Sequence, residues 1–455
     1  MFKTFQNALK VKEIRTKLLF TLAMLVVVRI GCQIPIPGTD ADVIANLLSS
    51  FDSNDAFGFF SAFTGGSFER MSLFALNITP YITSSIIMQL LTIAIPKLEE
   101  LQRDGETGRK KIAEITRYLT IALSIIESLA MAIGFGNQGL FGDTKNISKP
   151  EYFLLILTAV VAMTAGSALL MWFGERITEN GVGNGISIIL MINIIARMPD
   201  DLMSLFQSKV MITETNGRSV LGAASAAIII IAVIVAIIAF IVLLNGGERR
   251  IPVQYAKKVQ GRKMLGGQSS HIPLKVNTSG VIPVIFASSL MQFPVIISQI
   301  LGKQAGDGSV WGKVLKLLSQ SYWFDISNWR AFAYTLGFVL YAVLVIAFAY
   351  FYTSITFNPI EVANNIKKQG GFVPGIRPGK PTEEYLTKLL NNIVFIGAVG
   401  LLIVATIPLV FSGVFDANVS FGGTSLIIVV GVILETLNKI SAMMVVRNYK
   451  GFLDN

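Results

Sequence analysis

The sequence predicts an all-α, polytopic membrane protein with ten transmembrane helices, and three observations support this fold class. Of the 455 residues, 53% are hydrophobic and 15% are charged, whereas soluble domains contain roughly 25% charged residues. Ten apolar runs lie along the chain, each long enough to cross a bilayer core as a helix of about 20 residues. The cationic residues collect in alternate loops between these runs.

The positions of the apolar runs define the predicted spans. In chain order the spans are 17–34, 72–95, 115–136, 152–173, 185–206, 221–244, 279–301, 331–356, 386–411 and 421–446. The fifth run is the least regular, because Pro199, Asp200 and Asp201 end its continuously apolar part early. An even number of crossings places both termini on the same side of the membrane.

The charges of the loops predict that both termini are cytoplasmic. With the N-terminus inside, 27 Lys and Arg residues fall in inner segments and 10 in outer loops, while acidic residues divide 13 to 13. A bias of cations without a bias of anions is typical of the positive-inside rule.

The composition predicts neither catalysis nor a bound cofactor. Cys32 is the only cysteine and His271 the only histidine, so an intrachain disulfide and a His/Cys metal cluster are both excluded. The sequence also lacks a GxxxxGK[ST] phosphate loop, which indicates that the chain hydrolyses no nucleotide. We therefore expect a protein that is not an enzyme.

Few ionisable residues lie within the predicted spans, and the clear ones are Arg29, Glu127 and Glu435. Coupled carriers usually place several such groups near the membrane midplane. A passive channel is therefore favoured, with a multi-span solute carrier and a pore-free insertase or scaffold as alternatives. Arg29 is expected to pair locally or to reach toward the interface.

The second span, "SLFALNITPYITSSIIMQLL" (72–91), combines apolar residues with groups that lipid does not satisfy. Pro80 is expected to kink the helix by freeing a backbone carbonyl, and Thr83, Ser84 and Ser85 place three hydroxyls in a row. Within a membrane, such groups are expected where neighbouring protein or water can form hydrogen bonds with them. The segment is either a kinked packing helix or the movable wall of a pathway.

The segment before this span, "FGFFSAFTGGSFERM" (57–71), is apolar but too short to cross the membrane. Gly65 and Gly66 provide a hinge within it. The segment either folds back as a stopper for a cavity or packs as a re-entrant or interfacial helix. Its aromatic residues are Phe57, Phe59, Phe60 and Phe63.

Two inner loops, 245–280 and 357–385, are longer than a helix connection requires and are rich in cations, glycine and proline. The charges alone are explained by topology and solvation. The glycine and proline residues favour a defined loop shape, which suits docking of a protein or of nucleic acid.

Six motifs in chain order resemble the SecY family, the central subunits of bacterial protein-conducting channels. They are "IPIPG", "ITPYITSSIIMQLL", "GERITENGVGNGISI", "VNTSGVIPVIFASS", "FNPIEVANNIKKQGGFVPGIRPG" and "FGGTSLIIVVGV". The resemblance covers essentially the whole chain. It implies a clamshell of two pseudo-symmetric five-helix halves, 1–207 and 208–455, around an hourglass pore, with a hinge near 208–220.

The resemblance also implies an apolar ring at the narrowest point of the pore and a plug, residues 57–70, that seats against it. Such a constriction blocks water and ions by dewetting, and aliphatic side chains can yield around a polypeptide of any sequence. One position of the ring has leucine in place of isoleucine. The expected ring residues are Ile78, Ile82, Ile186, Leu190, Ile285 and Ile428.

By the same resemblance, the second and seventh spans form a lateral gate through which hydrophobic segments leave for lipid. For Glu127 and Asn277 a packing role is the alternative. The candidate gate residues are Pro80, Thr83, Ser84, Ser85, Gln89, Glu127 and Asn277.

The two inner loops are expected to form a shared landing site for the ribosome and the SecA ATPase, which supply the driving force. Further implied partners are SecE, SecG, the translocating polypeptide with its signal sequence, and lipid of the bacterial plasma membrane. The candidate docking residues are Arg249, Arg250, Lys257, Lys258, Arg262, Lys263 and Arg377.

Overall fold

The computed structural model describes most of the chain and is predominantly helical. The described residues are 9–40, 43–44, 63–137, 139–142, 148–209, 220–255, 258–260, 263–265, 269–300, 310, 313–314, 317, 335–415 and 423–453. Within them, each of the ten predicted spans coincides with a long helix, so the predicted fold class is confirmed.

The helices of the first five spans are joined by one long connection, residues 32–78, and by shorter ones, one of which contains an additional helix. In order they are α1 (Lys12–Gly31), α2 (Thr79–Ala94), α3 (Pro96–Arg103), α4 (Glu106–Gly136), α5 (Lys149–Asn180) and α6 (Gly185–Lys209), where α3 is the additional helix. α3 is bent by 101° from α2, because the backbone leaves helical geometry at Ile95 and Pro96 starts a new helix.

The last five spans are also accompanied by one additional short helix. Their helices are α7 (Val220–Gly246), α8 (Ile282–Ile300), α9 (Thr335–Thr356), α10 (Pro359–Lys368), α11 (Lys380–Phe415) and α12 (Gly423–Leu453), where α10 is a short helix outside the spans. Asn358 caps α10 by accepting hydrogen bonds from the N–H groups of Ile360 and Glu361. In the described ranges, six helices are long and apolar enough to cross a membrane by themselves, and the bent pair α2–α3 would be a seventh.

α2 begins at Thr79 rather than near residue 72, so the predicted kink at Pro80 is wrong. Pro80 lies in the first turn of the helix, where a missing N–H costs no intrahelical hydrogen bond. Residues 73–78 form turns instead. An antiparallel bridge between Pro35 and Ser72 holds the chain in this non-helical path.

α6 continues through Pro199 to Lys209, although the sequence predicted that its regular part ends near that proline. The predicted boundary between the halves falls at the end of this helix. The expected hinge, near 208–220, lies largely outside the described residues.

The long helices form two five-helix bundles that meet along two seams. One bundle contains α1, α2, α4, α5 and α6, and the other contains α7, α8, α9, α11 and α12. At one seam α6 contacts α7 and α12, and at the other α8 contacts α2 and α4. An apolar cluster with residues from both bundles lies where they meet. This arrangement is the clamshell that the family resemblance implied.

The two basic loops form a small antiparallel sheet that the sequence analysis did not predict. Its strands are β1 (Glu248–Tyr255), β4 (Ser269–Lys275) and β5 (Gly371–Phe372), and a separate hairpin consists of β2 (Lys258–Gln260) and β3 (Lys263–Leu265). β1 is central and pairs with β4 from its own loop and with β5 from the other. Its inner residues Ile251 and Val253 are buried against residues of α10 and α11. The two loops are therefore one structural unit.

Candidate functional site

The six side chains predicted to form the ring belong to one apolar cluster at the meeting of the two bundles. They come from α6, α8, α12 and the start of α2. The buried members are Ile78, Leu190 and Ile428, and the half-buried members are Ile82, Ile186 and Ile285. Residues far apart in the chain thus belong to one apolar cluster, and we call the whole of this cluster the ring cluster. Its action as a pore constriction stays a prediction.

A tight turn of glycines places Ile186 and Leu190 in the ring cluster. A Cβ atom on Gly185 would come within 2.0 Å of the Gly174 carbonyl oxygen, so only glycine permits this approach of α5 and α6. Gly183, between the two helices, has a φ of 88°, a conformation that glycine adopts without steric cost. The crowded glycines of the motif therefore set where α6 begins.

A cavity of about 620 Å³ lies beside the ring cluster. Four ring candidates, Ile82, Ile186, Leu190 and Ile285, are among its lining residues. Charged residues line it as well, and all of them come from segments predicted to lie on the cytoplasmic side: Glu106, Arg109, Lys110, Arg117, Glu175, Glu179 and Lys439. The cavity therefore joins a charged rim to the apolar cluster.

The described end of the predicted plug packs against the ring cluster. Phe63 is 8% exposed and belongs to the same apolar cluster, and its carbonyl accepts a hydrogen bond from Asn77 Nδ2 at 2.6 Å. Gly65 and Gly66 have φ values of 63° and 81°, which glycine favours. Three plug candidates lie outside the described residues: Phe57, Phe59 and Phe60.

Three of the gate candidates lie in the first turns of α2. Ser84 Oγ donates to the Pro80 carbonyl at 2.7 Å and accepts from Thr120 Oγ1 of α4 at 3.0 Å. Thr83 and Ser84 are both buried. Thr120 Oγ1 also donates to the Thr116 carbonyl of its own helix at 2.7 Å, so its one hydrogen is shared between two acceptors. The contact between Ser84 and Thr120 joins α2 to α4, while α8 contacts both helices.

The other gate candidates occupy separate places. Gln89 Nε2 donates to Ser85 Oγ at 3.3 Å, and both residues line the cavity. Glu127 is buried on α4, whereas Asn277 Nδ2 donates to Asn245 Oδ1, near the end of α7, at 2.7 Å. Among the described residues no hydrogen bond joins Glu127 to Asn277.

The first basic loop presents its docking candidates on strands. Arg249 and Arg250 are exposed on β1, and Arg250 pairs with Glu248 at 2.5 Å. Lys258 and Lys263 belong to the β2–β3 hairpin. Two docking candidates lie outside the described residues: Lys257 and Arg262.

Arg377 is exposed in the turn between β5 and α11. The turn is held by hydrogen bonds from Thr382 Oγ1 to the Arg377 carbonyl at 2.8 Å and from Ile376 N to the Val373 carbonyl at 3.0 Å. Because β5 pairs with β1, this arginine is presented by the same sheet that carries Arg249.

A polar group beside the ring cluster escaped the sequence analysis. Arg29 Nη1 donates to Asn193 Oδ1 and to the Gly65 carbonyl, both at 3.4 Å. Asn193 Nδ2 in turn donates to Asn77 Oδ1 at 3.1 Å. The signal in the sequence that could have pointed to this polar group was the side-chain amide of Asn193, which interrupts the apolar run of α6. Arg29 therefore interacts across helices and not with its sequence neighbours.

The two five-helix bundles that meet at the ring cluster define a class by their fold, that of helical membrane proteins built like two solved channels. The structure matches the solved structure described as "The structure of a protein conducting channel" with a TM-score of 0.63 and 20% identity, covering 95% of this chain and 93% of that one. It matches Sec61 in the canine ribosome-channel complex from the endoplasmic reticulum with a TM-score of 0.63 and 19% identity over the same shares.

Sequence comparisons give the particular family. The SecY family model matches residues 72–437. "Protein translocase subunit SecY" of Halalkalibacterium halodurans is 43% identical, and that of Streptomyces scabiei is 42% identical, with all of this chain and of each relative covered. The chain belongs to the SecY family, a family of channels and not of enzymes. This result favours the predicted channel over a solute carrier.

Proposed function

We propose that this chain is the channel subunit of a bacterial protein translocase, through which unfolded secretory polypeptides cross the plasma membrane. The observation that carries this function is the ring cluster, in which aliphatic side chains from four helices meet between two bundles. The names of the relatives, protein translocase subunits, support the same function.

The ring cluster seals the resting channel because a narrow apolar constriction loses its water and thereby excludes ions. Aliphatic side chains form no hydrogen bonds, so they hold no passenger in place and select no sequence. Phe63 adds to the seal, since it packs in the same cluster. The charged cavity beside the cluster is the cytoplasmic entrance, and both termini lie on that side.

Hydrophobic segments leave the channel between α2 and α8. The contact of α8 with α2 and α4 supports this lateral gate, because it is a seam between the two bundles and contains no covalent connection. The bond between Thr120 and Ser84 keeps α2 with α4, so opening separates α8 from that pair.

The driving force comes from a docked ribosome or from the SecA ATPase. The sheet that joins the two basic loops supports a common landing surface, with Arg249 and Arg377 exposed on it. The canine relative was solved in a ribosome-channel complex, which supports the ribosome as a partner. SecE and SecG are the proposed companion subunits.

The ring is tested by ion currents through the reconstituted complex. Ile428→Gly should raise the resting conductance about tenfold or more, because it removes an aliphatic side chain from the constriction. Ile433→Gly is the matched control on the same helix, since Ile433 is 42% exposed. Equal, low currents in both variants would refute the ring.

A further inference from the structure

We propose that Arg29, Asn77 and Asn193 form a polar latch that holds residues 63–66 against the ring cluster and keeps the resting channel sealed. Asn77 Nδ2 donates to the Phe63 carbonyl at 2.6 Å. Arg29 Nη1 donates to the Gly65 carbonyl at 3.4 Å. Two hydrogen bonds thus reach the plug end from α1 and from the residues that precede α2.

Asn193 joins these two donors into one unit. Its Nδ2 donates to Asn77 Oδ1 at 3.1 Å, and its Oδ1 accepts from Arg29 Nη1 at 3.4 Å. Asn193 therefore orients both side chains from α6, the helix that also carries the ring candidates Ile186 and Leu190. Movement of α6 would disturb the ring and the latch together.

The surroundings make the latch sensitive to water. Asn77 and Asn193 are each 1% exposed, and Phe63, Cys32 and Ile194 of the ring cluster surround the same region. A buried donor that loses its acceptor carries the full desolvation penalty. The latch therefore stays closed while the site is dry, and entering water or polypeptide can replace its acceptors.

The acceptors on the plug are backbone carbonyls, which every polypeptide carries. A passing chain can therefore offer the donors of Arg29 and Asn77 equivalent partners, whatever its sequence. The latch thus fits a channel with many substrates, because release of the plug requires no particular side chain on the passenger.

Gly65 permits the close approach that the latch needs. It has a φ of 63°, and a Cβ atom there would come within 2.7 Å of the Asn193 carbonyl oxygen and 2.9 Å of Arg29 Nη1. Any larger residue would strain the backbone and displace the segment from α6.

The latch depends on the proposed function of the channel, and the test separates the two. Asn193→Leu keeps the side-chain size and removes the three hydrogen bonds of this side chain, with Asn77, with Arg29 and with Cys32 Sγ. Asn77→Gly is a second variant that keeps the left-handed backbone, since Asn77 has a φ of 52° and glycine adopts it freely. We expect each variant to raise resting conductance about tenfold, the change that about 1.4 kcal/mol produces.

Cys32 supplies a second readout. It is the only cysteine of the chain, is 1% exposed and belongs to the ring cluster with Phe63. Release of residues 63–66 should raise its labelling rate by a small water-soluble thiol reagent about tenfold. Asn77→Gly is the decisive variant for this readout, because Cys32 Sγ donates to Asn193 Oδ1 at 4.0 Å and Asn193→Leu removes that partner directly. Ser128→Ala is the control, because it removes a buried hydroxyl that bonds Thr164 between α4 and α5, and we expect neither leak nor labelling.

The outcomes distinguish latch from ring. The latch would be overturned if Asn193→Leu and Asn77→Gly kept the low resting conductance of the parent and left Cys32 protected from labelling. This conclusion would hold whether or not Ile428→Gly leaks. Leaking latch variants with a sealed Ile428→Gly channel would support the latch and refute the ring. Leak and labelling in both latch variants but not in Ser128→Ala is the expected result.

Discussion

The ring cluster and the loop sheet are built by opposite means. Branched aliphatic residues from separate helices meet in the ring cluster, and their contacts are non-directional. In the sheet, β1 is held in register by backbone pairs such as Gln254 with Phe372 and Ile251 with Ile272. Apolar contacts can shift without loss of hydrogen bonds, whereas a strand pair cannot. The ring cluster is therefore suited to moving apart when a polypeptide passes, and the loop sheet is suited to keeping a fixed shape.

The largest expected effect concerns the loop sheet and the turn beside it that carries Arg377. Arg377→Glu should reduce SecA-driven export roughly thirtyfold, because reversal of an exposed charge that contacts a partner costs about 2 kcal/mol or more. Resting conductance and assembly should stay unchanged. Export by membrane vesicles measures the effect, with Arg15→Glu, at an exposed position of α1, as a control for a change of cytoplasmic charge. Export at the parental rate by Arg377→Glu would contradict the docking role.

A second substitution tests whether the sheet is independent of the seal. Val253→Asp places a carboxylate at a position of β1 that is 1% exposed, which should destabilise the sheet by about 3 kcal/mol. Binding of SecA or ribosomes, measured by co-sedimentation, should fall strongly. Ion currents should remain as low as in the parent. A leaking Val253→Asp channel would show that the two regions are coupled at rest.

A smaller effect is expected where a directional bond occurs within the membrane part. Thr120→Val removes the bond from Thr120 to Ser84 between α2 and α4, worth about 1 kcal/mol. The proposed gate should then open more readily, and cross-linking of a weakly hydrophobic segment to lipid should increase a few-fold. Thr158→Val is the control, since the Thr158 hydroxyl bonds the Leu154 carbonyl of its own helix. Equal yields from both variants would assign Thr120 to packing alone.

Hydropathy predicted the helices well because a run of about 20 apolar residues has one stable form in lipid. It was wrong about the start of α2, since residues 73–78 are as apolar as the helix that follows. The bridge between Pro35 and Ser72 decides their path, and a pairing partner in another segment leaves no periodic signal. Pro80 is equally compatible with a kink and with a first turn.

The sheet was missed for a related reason. Its central strand pairs with residues more than a hundred positions away, as Gln254 does with Phe372, and no local pattern encodes such a partner. The candidate ring came from family resemblance, and hydropathy alone does not distinguish Ile428 from the exposed Ile433 on the same helix. The cluster of Arg29, Asn77 and Asn193 required coordinates, because its members come from three separate segments.

The bend of 101° between α2 and α3 has a consequence for how events inside the bilayer become visible outside it. α3 has no buried residue among its own, but it packs on the first turn of α4, where a Cβ atom on Gly108 would come within 1.7 Å of the Leu101 carbonyl oxygen. A joint tilt of α2 and α4 therefore carries this short helix over the membrane surface. A bound motor or ribosome senses, or imposes, that movement without entering the pore.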